Sequence, residues 1–440
     1  MRITTPQCQP LLLGYRTGQV QTYSMSAKLS NSDHQAVTYE KKRPSKKLTR
    51  CRIVCFYSQV LRPFNRICII IFLSLTATLF LWSGVNRINA AVPDEIIRIA
   101  IVKSSPEVTV AGDGLLVTDE VGTPLVMTFP AMVKRVNNGL MVEGKLFRQL
   151  SFSAPSAVYV NNKPYRGVAE LSVTDKGILV VNQLPLEEYL VGLINCEISS
   201  AWPIEAVKAQ AIIARTYAVN RKMARMGAPY HLESSVLDQV YEGCLIEDSR
   251  ARRAVLETEG EVLTYNGSII QAFYHSSCGG STESSEDVWG ASLPYLKGVE
   301  CQYCLSSPSG TSWEYKLSLE ELEKRLRSAG YNVSGLYDIK AGALNSRGRL
   351  KQLFLLASRG GGAISGEQFR KAIGYGFIKS TRFTLKNSGN EISFSGSGNG
   401  HGVGLCQWGA KHRALAGFDC GEILSYYYPG TELRNLSDIR

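Results

Sequence analysis

The chain reads as α+β: a β-rich N-terminal module, then a mixed α/β core built around a buried central helix. Three observations predict this. Residues 95–180 carry short β-rich runs broken by Gly, Asp, Asn or Pro. From Leu184 the apolar spacing becomes helical. The stretch AVKAQAIIARTYAV, inside 203–223, is apolar on most sides, which suits a helix surrounded by protein. With 440 residues and 44% hydrophobic content, the chain can bury a full core and holds two or three domains.

Residues 1–66 form a basic extension, with 12 Lys and Arg against Asp33 and Glu40, a net of +10. The other 374 residues carry 37 basic and 36 acidic groups, a net of +1, so the chain's +11 belongs almost wholly to its head. A body this close to neutral has no basic stripe, which excludes nucleic acid as its partner.

Residues 67–92 open with ICIIIFLSLTATLFLW and stay uncharged through Val85. A positive flank, an apolar run and the small residues Ala90 and Ala91 describe a secretory signal peptide. Residues 67–85 are also long enough for one membrane span with its basic side inside, a membrane anchor if uncleaved. Either reading puts residues from about 93 onward outside the inner membrane, in a periplasmic or extracytoplasmic part of the cell envelope.

Residues 93–183 make a β-rich support module. IIRIAIV, GLLVT, PLVMTF, GLMVEG, AVYVN, VAELSV and GILVVN predict a sheet or small barrel with no grouping of His, Asp or Cys. The core spans 184–435, with a small helical and stranded insertion at about 313–380. PLEEYLVGLI predicts a helix with Leu186, Leu190, Leu193 and Ile194 on one face. The long helix follows to about Met223, with Pro203 in its first turn and Glu205 near its positive end. ARRAVLET predicts a short helix, and GEVLTYNG with IIQAFYHS a hairpin about Asn266-Gly267. Residues 318–331 and 365–374 read as amphipathic helices around a strand-like 335–363. A last helix lies in 411–430, broken near Gly417.

Four groupings can carry chemistry. Glu197 is a lone acid among Leu193, Ile194, Cys196 and Ile198, followed by Lys208 and Arg215 on one helical face. Those cations suit salt bridges to Glu187, Glu188 or Glu205, or a polar site shared with Glu197. Gln239 and Tyr241 of DQVYEG alternate, as on one strand face. His275-x-x-Cys278 and Cys301-x-x-Cys304 stand at metal-ligand spacing and can close a structural zinc site; in an exported chain, a disulfide from Cys278 to Cys301 or Cys304 fits equally. His275 beside Ser276 also suits a sugar or catalytic contact at a strand end. The glycine-rich GSGNGHGVGLCQWGA (396–410) lacks the ending of a phosphate loop and offers His401, Gln407 and Trp408 to a carbohydrate face, or Trp408 to the core. Of eleven cysteines, seven lie beyond the apolar run, so pairing within the chain is incomplete. Cys196 has no neighbouring base that would mark it as a nucleophile.

Together, LPLEEYLVGLINCEISSAWPIEAVKAQAIIARTYAV, DQVYEG, FYHSSCGGSTESSEDVWG, PYLKGVEC and GNGHGVGLCQWGAKHRALAGFDCGEILSYYYPGTEL resemble, in order and across about residues 95–433, the sporulation stage II protein D and amidase-enhancer family (SpoIID/LytB). The resemblance implies an exported protein acting on peptidoglycan glycan strands. One branch is a lytic transglycosylase of strands stripped of stem peptides; the other enhances an N-acetylmuramoyl-L-alanine amidase. The family's catalytic acid maps to Glu197, and its associated polar residues to Lys208, Gln210, Arg215, Gln239, Tyr241, His275, His401 and Gln407. Some members bind zinc through His and Cys just before the Gln-Val-Tyr motif. Leu237 and Asp238 stand there, so that site is not carried over.

A lytic transglycosylase needs no cofactor and one carboxyl group, because the sugar's own 6-hydroxyl attacks and leaves a 1,6-anhydro end. That acid must start protonated near neutral pH, which apolar surroundings favour. The leading expectation is therefore such an enzyme with Glu197 as acid and base. Its rivals are a non-catalytic wall-binding enhancer of an amidase and a secreted, zinc-stabilised scaffold or adhesion protein.

Overall fold

The computed structural model describes residues 95–236, 238–306 and 312–439. The expectations for 1–66 and 67–92 lie outside the described residues. Among the described residues, no helix is long and apolar enough to cross a membrane.

The fold is α+β, as expected. Residues 96–185 form twelve short strands in two sheets rather than the seven runs read from sequence; a two-residue strand, Leu232–Glu233, joins the first sheet from outside. Its longest pair, Ile96–Ser105 and Gly177–Pro185, is antiparallel, with Ile97 opposite Leu184 and Ile99 opposite Asn182. The unforeseen strands include Glu107–Ala111, Ala131–Val136 and Gln149–Ser153. Each alternates buried and open positions too briefly to stand out as an apolar run.

Among the described residues eight helices follow: α1 (Leu186–Glu197), α2 (Ile204–Ala224), α3 (Ser249–Leu256), α4 (Ser285–Trp289), α5 (Leu319–Ser328), α6 (Gly366–Ile373), α7 (Gln407–Leu415) and α8 (Cys420–Tyr427). Pro203 precedes the first turn of α2 at the cap position, where its missing N–H costs nothing. Ser365 and Gln368 make a reciprocal capping box at α6, and Asp419 with Glu422 does the same at α8. The expected break at Gly417 separates α7 from α8, with Gly417 at φ +94°. Asn266 and Gly267, both at positive φ, turn Glu261–Tyr265 back onto Ser268–Ile269. The following Tyr274–His275 leaves that hairpin and pairs in parallel with Leu405–Cys406.

Helix α2 is the buried centre. Val207, Ala211, Ala214 and Ala218 join a core with α1 and both N-terminal sheets. Ala209, Ile212 and Ile213 join a second core with Leu405, Cys406, Ile423 and Leu424. Burial on two sides explains its lack of a polar face. Residues on both sides of position 183 thus share one core. The stretch expected as an insertion lies in a core of its own, which runs from Trp313 and Leu322 through Phe369 to Phe383 and Phe394.

Candidate active site

Glu197 is the last residue of α1 and lines a cleft of about 660 Å³. Helix α1 can approach the segment after Tyr241 because residue 192 is glycine: a Cβ there would lie 2.6 Å from the Gly243 carbonyl oxygen and 2.8 Å from the Tyr241 ring. Burial pushes the Glu197 carboxyl up to about 7. The Tyr274 hydroxyl, the Val240 N–H and the Gln407 side chain oppose that shift by interacting with its charged form.

Around it, the cleft is walled by His275, Ser276, His401 and Gln407, all expected from sequence, and by Phe273, Tyr274, Trp289 and Asn399. Gln407 opens α7, and its amide donates to Gln210 Oε1 on α2 (3.3 Å), which places Gln210 behind Gln407. His275 Nδ1 meets the Val403 carbonyl (3.2 Å), so Nδ1 carries the proton and the buried Nε2 is an acceptor without a protein partner. The Val403 N–H donates to His401 Nδ1 (3.1 Å), and burial lowers His401 to about 3. Burial also lowers His275 well below its ordinary value, so both rings are neutral at physiological pH. Trp289 is 43% exposed and packs on Phe273 and His401, with centroids 4.5 and 5.1 Å away. An open aromatic face beside hydroxyl, amide and imidazole groups suits a sugar ring.

Several residues grouped with Glu197 on the family resemblance lie elsewhere. Lys208 pairs with Glu205 (3.1 Å) and Glu257 (2.7 Å). Arg215, fully buried, pairs with Glu187 (2.6 Å) and donates to the Glu261 and Val255 carbonyls. These are the salt-bridge partners that two cations on an apolar helix require, and neither residue lines the cleft. Gln239 and Tyr241 stand on an irregular segment, not a strand: Gln239 forms only an isolated bridge with Ser234. Gln239 accepts from the Tyr189 hydroxyl (3.0 Å) and donates to the Tyr274 hydroxyl (3.1 Å), one step behind Glu197. Tyr241 packs on Tyr189 and Tyr165 and meets Asn182 Oδ1 (3.3 Å). Trp408 packs at a tilt against Trp202 with Lys411 over both rings, away from the cleft lining. The Cys196 thiol is pushed up to about 11 by burial, which leaves it a poor nucleophile.

Sequence reasoning missed the far wall. Glu367, Arg370 and Tyr375 come from the insertion and line the same cleft. Arg370 donates to Glu367 (3.3 Å) and the Ile378 carbonyl (2.9 Å) and lies over the Tyr375 ring. Read along the chain, α6 is an ordinary amphipathic helix, and nothing local marks its arginine. Asp238 also lines the cleft, but Arg221, Arg225 and Tyr217 hold its carboxylate at 2.9–3.2 Å.

The cysteines regroup as well. Cys278, Cys301 and Cys304 converge as expected, but their fourth member is Cys406: the four sulfurs lie within 4.8 Å of one another and all four residues are buried. His275 is turned to Val403 and the cleft by its strand, while Cys406, opposite it in the pair, faces the cluster. The group can hold a metal ion.

Residues 174–265 match the sequence profile of the SpoIID family, described as stage II sporulation protein. The chain is 31% identical over 269 residues to stage II sporulation protein D of Bacillus subtilis, covering 58% of this chain and 75% of that protein. The chain belongs to the stage II sporulation protein D family. It is also 31% identical over 283 residues to an uncharacterized protein of Brachyspira hyodysenteriae, covering 64% of this chain and 75% of that one. A third relative is the amidase enhancer of Bacillus subtilis, 30% identical over 292 residues; the match spans 56% of this chain and 40% of that protein. Within this SpoIID-family chain the profile match includes Glu197, Gln210, Gln239 and Tyr241, and ends before His275, the cysteine cluster and the insertion.

Proposed function

We propose that this protein is an exported lytic transglycosylase of the cell envelope that cleaves peptidoglycan glycan strands, with Glu197 as the single acid and base. The observation that carries this reading is a carboxyl group pushed to about 7 in a cleft whose other carboxylates are engaged. Asp238 is held by two arginines and Glu367 by Arg370. A two-carboxylate hydrolysis would need a second free acid or base.

Protonated Glu197 gives its proton to the glycosidic oxygen as the bond from that oxygen to the sugar C1 breaks. The same sugar's 6-hydroxyl oxygen bonds to C1, and the Glu197 carboxylate takes the hydroxyl proton. The products are a free 4-hydroxyl end and a 1,6-anhydro end, and Glu197 is protonated again. The chemistry calls on no water and no cofactor. Tyr274 and Gln407 orient the carboxyl, Ser276 accepts from or donates to sugar hydroxyls, and Trp289 stacks on a ring. Arg370, the only cation among the described lining residues, favours strands whose lactyl carboxylates are uncovered, that is, strands without stem peptides.

A second reading draws on the likeness to the amidase enhancer of Bacillus subtilis. On it, the same cleft binds glycan for a partner N-acetylmuramoyl-L-alanine amidase without cleaving it. Product analysis of denuded and peptide-bearing glycan, with wild type and Glu197→Gln, separates the two. Anhydro-muramyl ends made only by wild type support the transglycosylase. Their absence from wild type, or their persistence in the variant, overturns it.

A further inference from the structure

We infer that Cys278, Cys301, Cys304 and Cys406 hold a structural zinc ion that fastens the cleft wall to α7. The four thiols come from three separate segments: the loop after Tyr274–His275, the turn at Gln302–Ser306 with the residue before it, and the residue before α7. All four residues have 0% exposure, and Cys278 Sγ and Cys304 Sγ are 3.3 Å apart. A tetrahedron with Zn–S bonds of about 2.3 Å sets its sulfurs roughly 3.8 Å apart, within the spread seen here. Cys-x-x-Cys plus two distant cysteines is a common form of four-thiolate site.

The surroundings suit thiolate charge. Cys406 Sγ accepts from the Cys278 N–H (3.3 Å) and from the Gly409 N–H (3.4 Å), at the positive end of α7. The Tyr427 hydroxyl lies 3.2 Å from Cys301 Sγ. Zinc with four thiolates leaves a net charge of −2; the buried Arg349 guanidinium, which pairs with the buried Glu283 (3.2 Å), donates to the Cys278 carbonyl at 2.8 Å. Residue 409 can only be glycine at this spacing, since a Cβ would lie 2.1 Å from the Tyr427 hydroxyl and 2.7 Å from Cys301 Sγ. Binding exchanges four thiol protons for the metal, the protons going to solvent.

The site's consequence is positional. Gln407 follows Cys406 directly, and Ser276 lies two residues before Cys278, with its carbonyl accepting from the Trp408 N–H (3.1 Å). The metal thus ties both polar walls to one point, while Glu197, on α1, stands on a separate element.

The test is zinc per full chain by elemental analysis, with free thiols counted in denaturant without reductant, before and after chelation. One zinc per chain is expected, with the four thiols becoming reactive on its removal. Cobalt(II) in its place should give intense thiolate charge-transfer absorption. Cys406→Ser should lose zinc to a chelator at least about tenfold more readily than wild type. Because that variant can fail to fold, His275→Ala and Cys420→Ser serve beside it, and both should keep zinc. A zinc-free chain with these cysteines joined in disulfides overturns the inference, and so does zinc loss in His275→Ala with retention in Cys406→Ser. Neither outcome bears on whether Glu197 cleaves glycan.

Discussion

The Gln239 amide donates to the Tyr274 hydroxyl oxygen at 3.1 Å. A hydroxyl has one proton, and with Gln239 as donor that proton is directed to Glu197. Gln239 is oriented in turn by the Tyr189 hydroxyl at 3.0 Å, so two buried side chains and the half-buried Tyr274 set the direction of one hydrogen bond. Tyr274 thus opposes the burial that raises the Glu197 pKa.

Tyr274→Phe removes this donor and leaves the burial. The alkaline limb of kcat/KM, expected near pH 7 in wild type, should move up by about one pH unit. The rate below that limb should fall, because the carboxyl loses its orientation. A pH–rate profile checks both. An unmoved limb would mean that Tyr274 only packs against the site.

Arg370→Gln should act on substrate choice. A charge-assisted hydrogen bond to a lactyl carboxylate is worth about 1.5–3 kcal/mol, or roughly 10- to 100-fold in KM. Wild type should prefer strands with free lactyl carboxylates over strands with those groups amidated, and the variant should treat the two nearly alike. Equal loss on both substrates would assign Arg370 to the insertion's stability instead.

Arg215→Met breaks the buried pair with Glu187 and orphans two carbonyls. A loss of about 3 kcal/mol or more in denaturant unfolding is expected. For the proposed activity, the KM of the remaining folded protein should be nearly unchanged, since Arg215 does not line the cleft. Unaltered stability with a raised KM would return Arg215 to the substrate site.

The fold class and Glu197 were legible because both rest on local patterns: β-rich runs, helical spacing, and one acid amid apolar neighbours. The buried centre was legible in α2 because a helix with no polar face has to be enclosed. What escaped depends on pairing between distant segments. Along the chain Cys406 belongs to a glycine-rich loop, and only the parallel pairing of its strand with Tyr274–His275 brings it to Cys278. Arg370 belongs to an insertion with its own core, so its meeting with the cleft leaves no periodic trace. Lys208 and Arg215 show the reverse case. Their spacing places them on one helical face, but spacing cannot tell a glycan from a glutamate as the partner of that face.

Glu197→Gln should separate catalysis from stability, because the raised pKa acts on the two with opposite sign. The proposed reaction requires the protonated acid, so wild-type kcat/KM should be level below about pH 7 and fall roughly tenfold per unit above it. The variant should lose at least about 100-fold at every pH. For stability, the folded carboxyl titrates near 7 and the unfolded one near the ordinary 4.5. The native state therefore binds the extra proton between those values, and wild-type stability declines as pH rises through that window. The contribution is fully present below 4.5 and gone above 7, a difference of at most roughly 3 kcal/mol. Glutamine does not titrate, so the variant's stability relative to wild type should increase from pH 5 to pH 8 and level off beyond. Denaturant unfolding at those two pH values measures this. A constant difference would show that Glu197 ionises freely in the folded protein, and the acid role would lose its physical basis.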